Sequence, residues 1–260
     1  MDLSECPVKG LEGSSDLGSA GAMMIKQEMK GLLAIWADID EDYRLEFEKW
    51  HNCEHMADRV TIPGFYVGYR YQGMGDAPYS LMVYETLDST VLESKSYLHS
   101  KNNPTPWARE ALSHYRNTVR MIYNLLETVG KKASTQAPYI FVVRFNSESG
   151  AEQEITEWCK EEFLPKIITL PGVHRGRLWE VNAEISNIIT EEQKIYGRMK
   201  TEQQRFLALI EMGSMNLPES KVWQDIYMRS HRSGTSLQKM KNVSEELYWL
   251  RFVMYAPESN

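Results

Sequence analysis

A repeat without gaps constrains the fold of this chain more than any other feature of the sequence. Seven residues of the first half recur in the second half at one constant offset. They are Glu46, Trp50, Glu54, Thr61, Pro63, Gly64 and Gly68, which correspond to Glu154, Trp158, Glu162, Thr169, Pro171, Gly172 and Gly176. Seven matches in one stretch are hard to explain by chance, so we interpret the chain as an internal duplication.

Each half of the chain also predicts the same order of strands and helices. In the first half, hydrophobic periodicity and turn residues predict strands at 31–37, 65–71, 79–86 and 121–128, a helix at 43–60 and a helical region at 89–116 that is interrupted at Pro104 and Pro106. In the second half they predict strands at 139–145, 173–181, 206–212 and 247–255 and helices at 152–168 and 219–231. Both halves therefore have the order βαββαβ.

This order is that of the ferredoxin-like split motif, an antiparallel sheet with both helices on one face. The other face of such a sheet is bare and needs a partner, which the second copy can supply. We therefore predict an α+β fold in which two tandem ferredoxin-like βαββαβ units pack their antiparallel sheets into an α/β barrel. Exposed edge strands could in addition support a homodimer.

Composition predicts where the two units begin and end. Residues 1–28 are rich in Gly and Ser and show little periodicity, which predicts a flexible leader. The polar segment 130–137 predicts a linker. The first unit then covers 29–130 and is the candidate active half, and the second covers 138–260 and supports it.

The residues after Trp50 resemble a known superfamily, the dimeric α/β barrels. The segment WHNCEHMADRVTIPGF is most similar to its EthD-like members, in which a helix with Trp, Glu and His leads through Pro-Gly into the second strand. The resemblance covers about residues 30 to 257 as a tandem fusion and implies a small-molecule cavity between one sheet and its own helices. Because the superfamily includes cofactor-free monooxygenases, polyketide cyclases, lactone isomerases and haem enzymes, it does not select a reaction.

Charge and hydropathy narrow the classes of partner. The net charge is −7 and the sequence pI is near 5.5, which disfavours nucleic acid and anionic lipid as partners. No apolar run approaches the roughly 20 residues that cross a bilayer, and the N-terminus lacks the pattern of a signal peptide. We therefore expect a cytoplasmic protein with a small-molecule substrate.

The two copies differ at the inward face of their first helix, where the first copy has polar residues. Cys159, Phe163 and Ile167 form part of an apolar stripe in the second copy. Their counterparts in the first copy are His51, His55 and Arg59. Burying such groups is costly unless they are paired or line a wet cavity, so we predict that they are functional. The alternative is a structural role, with both histidines hydrogen-bonded to their neighbours.

Four residues are the predicted catalytic set. His55 is the general acid or base, and His51 is a second acid/base or an orienting group. Glu54 holds an imidazole tautomer, and Arg59 stabilises an enolate or a carboxylate.

The same residues read His51-x-x-Glu54-His55, the arrangement of inverted zinc proteases. Glu54 has a counterpart at Glu162 in a helix without histidine, so no metal is required to explain it. No CxxCH haem attachment motif is present. We therefore expect no metal ligands and no cofactor, and keep zinc and haem as alternatives.

Further residues are candidates for contacting a substrate. The strand at 65–71 places Tyr69 and Tyr71 on one face and Tyr66 and Arg70 on the other, and one of these pairs must face the helices. Trp50 and Trp107 are the other two candidates, although Trp50 recurs as Trp158, which also fits a packing role.

Together these features predict a cofactor-independent enzyme that applies histidine acid/base chemistry to a small apolar carbonyl-bearing or phenolic compound. Isomerase, cyclase, dehydratase and lyase reactions all fit this set of residues. One alternative is a non-catalytic barrel that binds a small molecule. Another is a haem- or oxygen-dependent oxidoreductase of the same fold.

Overall fold

The computed structural model describes residues 28–133, 135–197, 204–232 and 237–257. The predicted leader 1–28 lies outside the described residues, except for Glu28. The described strands are β1 (Gly31–Ile39), β2 (Phe65–Met74), β3 (Ser80–Thr86), β4 (Tyr115–Gly130), β5 (Tyr139–Ser147), β6 (Val173–Val181), β7 (Phe206–Met212) and β8 (Met240–Tyr255).

The helices follow the predicted order, with additions. They are α1 (44–60), α2 (Lys95–Asn102), α3 (Pro106–Ser113), α4 (152–167), α5 (Ala183–Ser186), α6 (Glu191–Tyr196) and α7 (Lys221–Arg232). The predicted helical region 89–116 is divided into a short 3-10 turn, α2 and α3, and its last residues from Tyr115 belong to β4. Pro104 and Pro106 account for the break between α2 and α3. None of the described helices is long and apolar enough to span a membrane.

The strands close into one antiparallel barrel, which confirms the predicted α+β barrel. Around the barrel the order is β1-β3-β2-β8-β5-β7-β6-β4, with β4 returning to β1. The first four strands thus lie in the order β4-β1-β3-β2, and the last four repeat it as β8-β5-β7-β6. The two sets join where β2 pairs with β8 and β4 pairs with β6.

Three buried clusters follow from this arrangement. One fills the barrel interior with alternate residues of the strands, such as Leu32, Trp36 and Tyr123. The other two lie outside the barrel, where α1 to α3 cover the first set of strands and α4 and α7 cover the second. The candidate histidines belong to the layer under α1.

Helices α1 and α4 share an unusual local form. Each contains one turn of π-helix, at His51–His55 and at Cys159–Phe163. π-turns are frequent at functional sites, but this one occurs in both halves, so by itself it does not mark one. Gly68 and Gly176 let these helices approach the sheet closely. A Cβ on Gly68 would lie 2.1 Å from Met56 Sδ, and one on Gly176 would lie 2.8 Å from Leu164 Cδ2.

One charged segment of the second half is partly buried. The charged stretch 191–205 suggests a solvated surface, yet its helix α6 buries Glu192 and Gln193 against the helix layer of the first half. The insert between β6 and β7 is much longer than the turn between β2 and β3, and this length lets it cross to the other half. Residues 198–203 lie outside the part of the chain that the structure describes.

Candidate functional site

The two histidines of α1 lie side by side on its buried face. His51 is fully buried and His55 is 6% exposed, and their ring centroids are 5.4 Å apart. The strands under them are β2 and β3 of the same half. The apolar-to-polar difference seen in the sequence therefore corresponds to a cluster of polar side chains between helix and sheet.

His51 has one engaged nitrogen and one without a partner. Its Nε2 lies 3.2 Å from the Tyr84 hydroxyl of β3. Its Nδ1 is buried and has no hydrogen-bond partner among the described residues. The Phe47 and Trp50 rings pack at 5.5 and 6.0 Å from the imidazole and fix its plane. A buried nitrogen without a partner is costly, so Nδ1 is the atom of this site best suited to a bound molecule.

Both imidazoles are neutral at pH 7. Burial lowers the pKa of His51 well below its usual 6.5, and the charges of Arg70 and Arg59 lower it further. Burial likewise lowers the pKa of His55, with Arg59, His51 and Lys101 adding to the effect. A neutral imidazole can accept a proton or donate a hydrogen bond, but it is not an imidazolium acid.

Arg59 is not free to bind an anion alone. Its guanidinium donates to Ser100 Oγ and to Glu192, and Lys101 donates to the other carboxylate oxygen of Glu192. All three charged side chains are 3% exposed or less. The Glu192 carboxylate therefore already neutralises Arg59, which weakens the predicted role of Arg59 in stabilising an enolate.

Glu192 is the residue of this site that sequence reasoning missed. It comes from α6, in the half of the chain opposite to His51 and His55, and is separated from Arg59 by 133 positions. A single Glu in a charged stretch carries no pattern that distinguishes it from a surface residue. The available signal was the length of the insert that contains it.

Glu54 acts on Trp50 rather than directly on an imidazole. Its Oε1 accepts a hydrogen bond from Trp50 Nε1 at 3.0 Å and another from Thr105 Oγ1 at 2.7 Å. The Trp50 ring lies 4.4 Å from the ring of His55. The predicted tautomer-holding contact is thus replaced by an indirect one, in which Glu54 orients the indole and the indole packs on His55.

The candidate ligand-contacting residues of strand β2 lie on two sides of the sheet. Tyr69 and Tyr71 point into the barrel interior, where their rings stack at 5.9 Å. Arg70 points to the helices and contacts Glu48 and Asn52, each at 3.2 Å. Tyr66 lies at the β-bulge between Phe65 and Val67, where it is 38% exposed and packs against Tyr255. The structure therefore places Arg70 near the histidines and puts the sheet between them and Tyr69 and Tyr71.

Trp107 of α3 belongs to the same helix layer as the histidines. It is partly buried and packs against the apolar cluster that includes Phe47 and Trp50. This places it at the wall of the layer, as a candidate contact for a ligand there.

A second missed feature lies beside Lys101, on α2 and β4. Arg120 donates from NH2 to the Tyr97 hydroxyl at 3.1 Å, and both side chains are buried. Burial alone would raise the pKa of Tyr97, but Arg120, Lys101 and Arg59 together bring it below its ordinary value. The layer thus combines neutral imidazoles with a tyrosine whose anion is stabilised.

The residues around His51 do not form a recognisable metal or haem site. Among the described residues, no group of three or more His, Cys, Asp or Glu side chains could hold a metal ion. Rings of Phe47, Trp50 and His55 pack within 6.0 Å of the His51 ring. Rings therefore surround His51 on three sides, and this arrangement does not identify it as a haem ligand.

Comparison with known proteins identifies the fold. No family model matches the chain, and no curated protein matches it. Among solved structures, an anthrone oxidase-like protein superposes with a TM-score of 0.57 at 11% identity, covering 89% of this chain and 95% of its own. A candidate monooxygenase from Fusobacterium nucleatum gives 0.53 at 10% identity, covering 87% and 94%.

A third similar structure is a chlorite dismutase variant from Candidatus Nitrospira defluvii. It superposes with a TM-score of 0.53 at 9% identity, covering 86% of this chain and 92% of that one. At such identities the likeness establishes the ferredoxin-like barrel fold and no particular reaction.

Proposed function

We propose that the protein is a cofactor-independent enzyme that moves a proton on a small apolar carbonyl-bearing or phenolic compound held under α1. The observation that carries this proposal is the environment of His51. Its imidazole is fully buried, one nitrogen is engaged with Tyr84, and the other has no partner among the described residues. Such a group is positioned by the protein and left with one nitrogen for a substrate.

The contrast with the second half supports a functional role. Cys159 and Phe163 occupy the equivalent π-turn of α4, and the layer under α4 is an apolar cluster. The fold therefore does not need polar groups at these positions. Buried polar groups that the fold does not need are candidates for chemistry.

In this proposal the proton moves between the substrate and His51 Nδ1. When Nε2–H donates to the Tyr84 oxygen, Nδ1 carries a lone pair and takes the proton from an activated C–H or O–H bond. The electron pair stays on the substrate as an enolate or a phenolate, and the same proton is returned at another atom. A base with a lowered pKa suits relatively acidic substrates, such as phenols and ketones with delocalised enolates.

The other candidates support this centre. His55 is a second neutral imidazole beside His51, and Trp50, held by Glu54, packs on it. Arg70 and Arg59 favour an anion that develops near His51, while Trp107 bounds the same layer. Tyr69 and Tyr71 would contact a ligand only in the barrel interior.

The remaining interpretations concern origin and assembly. The repeated strand order and the matched π-turns support a gene duplication and fusion within the EthD-like proteins. We also propose that the units at 29–130 and 138–260 are the active and supporting halves. A homodimer and a cytoplasmic location complete the proposal.

Oxygen-dependent oxidation is the second candidate. An anthrone oxidase-like protein and a candidate monooxygenase have the same fold, which favours testing oxygen as a co-substrate. A phenolate or enolate formed at His51 would be the electron-rich species that reacts with it. The two candidates share the proton-transfer step and differ in whether oxygen is consumed.

The test uses a panel of phenols, anthrone-type ketones and aliphatic ketones with the full chain. Under nitrogen in deuterated buffer, NMR detects the exchange of carbon-bound hydrogen for deuterium, and in air an electrode detects oxygen uptake. We expect His51→Leu to lose about 100-fold or more of either activity. His99→Leu, which changes an exposed histidine of α2, should leave both activities unchanged.

The outcomes separate the candidates. Exchange under nitrogen supports proton transfer, and uptake of oxygen supports oxidation. If a panel compound binds saturably, but neither exchange nor oxygen uptake occurs with any compound, the non-catalytic binding protein replaces both.

A further inference from the structure

The layer under α1 and α2 holds more positive than negative charge. Arg59, Lys101 and Arg120 are 2–7% exposed, and the carboxylate that acts on all three, Glu192, is 1% exposed. Both oxygens of Glu192 are taken by Arg59 and Lys101. Among the described residues, Arg120 forms no ion pair with a carboxylate, so an excess of positive charge is buried at its guanidinium.

Arg120 also has free hydrogen-bond donors. Its NH2 donates to Tyr97, but its Nε and NH1 are buried and have no partner among the residues that the structure describes. The Tyr196 hydroxyl of α6 is likewise buried without a described partner. Since Tyr97 accepts from Arg120, its own hydroxyl hydrogen is available as another donor. Donors therefore predominate around one guanidinium.

A buried guanidinium without a counter-charge is unfavourable, and an anionic ligand would relieve this cost. Nε–H and NH1 each form a fork with NH2, so one of these two groups, together with the NH2 hydrogen that Tyr97 leaves free, matches the two oxygens of a carboxylate. The surroundings are aromatic, since Tyr115 and Tyr196 stack at 5.9 Å and Tyr97 packs on Phe65 at 5.8 Å. Flat, apolar ligand bodies suit such walls.

We propose that this layer is an anion site and that its ligand is an aromatic monoanion, with a carboxylate or ionised phenol held by the guanidinium donors of Arg120 that Tyr97 leaves free. This inference rests on the proposed function in placing the ligand in the layer that contains His51. It adds the charge of the substrate, which the histidines alone do not specify. Glu192 then serves to neutralise Arg59 and Lys101 and leaves Arg120 to the ligand.

The competing arrangement is an internal anion. If Tyr97 were ionised at neutral pH without a ligand, its phenolate would balance Arg120 and the site would take neutral compounds. Tyrosinate has its own ultraviolet absorption, which the difference spectrum between the protein and its Tyr97→Phe variant would reveal. A tyrosinate band at pH 7 that is lost in this variant would overturn the proposal.

Binding is tested with matched probes that differ in charge and little in shape. Benzoate is compared with benzamide, and acetate with acetamide in case the space is small, by calorimetry and thermal shift on the full chain. We expect benzoate to bind about tenfold or more tightly than benzamide. Equal affinities within both pairs, no binding of either anion, or a preference for acetate alone would overturn the inference without the use of any variant.

Variants then locate the site. Arg120→Gln should weaken binding of the preferred anion about ten- to hundredfold. Arg120→Lys keeps the charge but cannot form a bidentate contact, so it should weaken binding by a smaller factor. Arg116→Gln changes an exposed arginine of the same strand and should leave binding unchanged. If the anion binds equally to Arg120→Gln and to the unchanged protein, the site lies elsewhere and the proposal fails. Should Arg120→Gln not fold, the Arg120→Lys comparison decides the same point.

This experiment and the turnover test fail independently. Anion binding at Arg120 with no turnover of any compound leaves the anion site and removes the proposed enzyme. Turnover that depends on His51, together with equal binding of anion and amide, leaves the enzyme and removes the anion site.

Discussion

The Tyr84 hydroxyl and His51 Nε2 lie 3.2 Å apart, although one residue belongs to strand β3 and the other to the π-turn of α1. This contact ties the helix to the sheet inside a buried layer. It also determines which imidazole nitrogen is left for a ligand. The first prediction follows from it.

Tyr84→Phe should lower the free energy of unfolding by about 1–3 kcal/mol, because the buried imidazole loses the partner of its Nε2. Turnover should fall with it, since the orientation of His51 is no longer fixed. The matched control is Tyr123→Phe, where the buried hydroxyl has no partner among the described residues and its loss should be near neutral. Urea denaturation measures the stability of the two variants. Equal losses of stability would contradict the role of the Tyr84 contact.

Stability should depend on pH through the histidines. Their folded-state pKa values lie well below 6.5, so below about pH 6.5 the unfolded chain binds protons that the folded protein does not. The free energy of unfolding should therefore fall as the pH drops from 7.5 to 5.5, by up to about 1.4 kcal/mol per pH unit for each histidine. Urea denaturation at several pH values checks this, and His51→Leu should reduce the slope. An unchanged slope in that variant would refute the assignment.

Glu192→Gln should be strongly destabilising. It leaves Arg59 and Lys101 buried without their carboxylate, a change that typically costs about 3–5 kcal/mol. The neighbouring Glu191→Gln provides the control, because the Glu191 side chain is 46% exposed and pairs with Lys194 on the surface. Its effect should stay within about 0.5 kcal/mol. Similar effects for the two variants would show that the buried ion pairs of Glu192 contribute little to stability.

Gly68→Ala tests the close approach of α1 to the sheet. The added methyl would meet Met56 Sδ at 2.1 Å and the Tyr84 ring at 2.9 Å, so the Met56 side chain and the Tyr84 ring, or the helix itself, must shift. We expect a loss of about 1–3 kcal/mol in stability and reduced turnover, because Tyr84 holds His51. Gly176→Ala makes the corresponding contact with Leu164 in the other half and should lower stability but not turnover. Equal loss of turnover in both would mean that activity simply follows stability.

Much of the fold could be predicted because its signals are local or repeated along the chain. Strands with alternating apolar residues and the Pro-Gly turns at 63–64 and 171–172 set the order of elements, and the repeat implied that two similar sheets would face each other. The long strands β4 and β8 were predicted too short, since their first residues bear polar side chains that weaken the alternation. Barrel pairing supplies the hydrogen bonds that extend them.

The candidate site could be predicted only in part. Comparison of the two halves of the chain singled out His51 and His55, because a helical stripe that is apolar in one half and polar in the other is visible in the sequence alone. The sequence did not show which face of β2 the helices cover, since alternation only separates Tyr69 from Arg70. The structure decides this by placing Gly68 against Met56, so Arg70 lies on the helix side.

The amino-acid sequence alone contains the periodicities, the repeat and the unusual polarity of one helix face. The charge balance around that face depends on contacts that form only in the folded chain. Glu192 meets Arg59 and Lys101 from 133 and 91 positions away, and Arg120 meets Tyr97 from 23. No local pattern encodes such pairs, because burial and partnership of a charged side chain depend on which surfaces the closed barrel brings together.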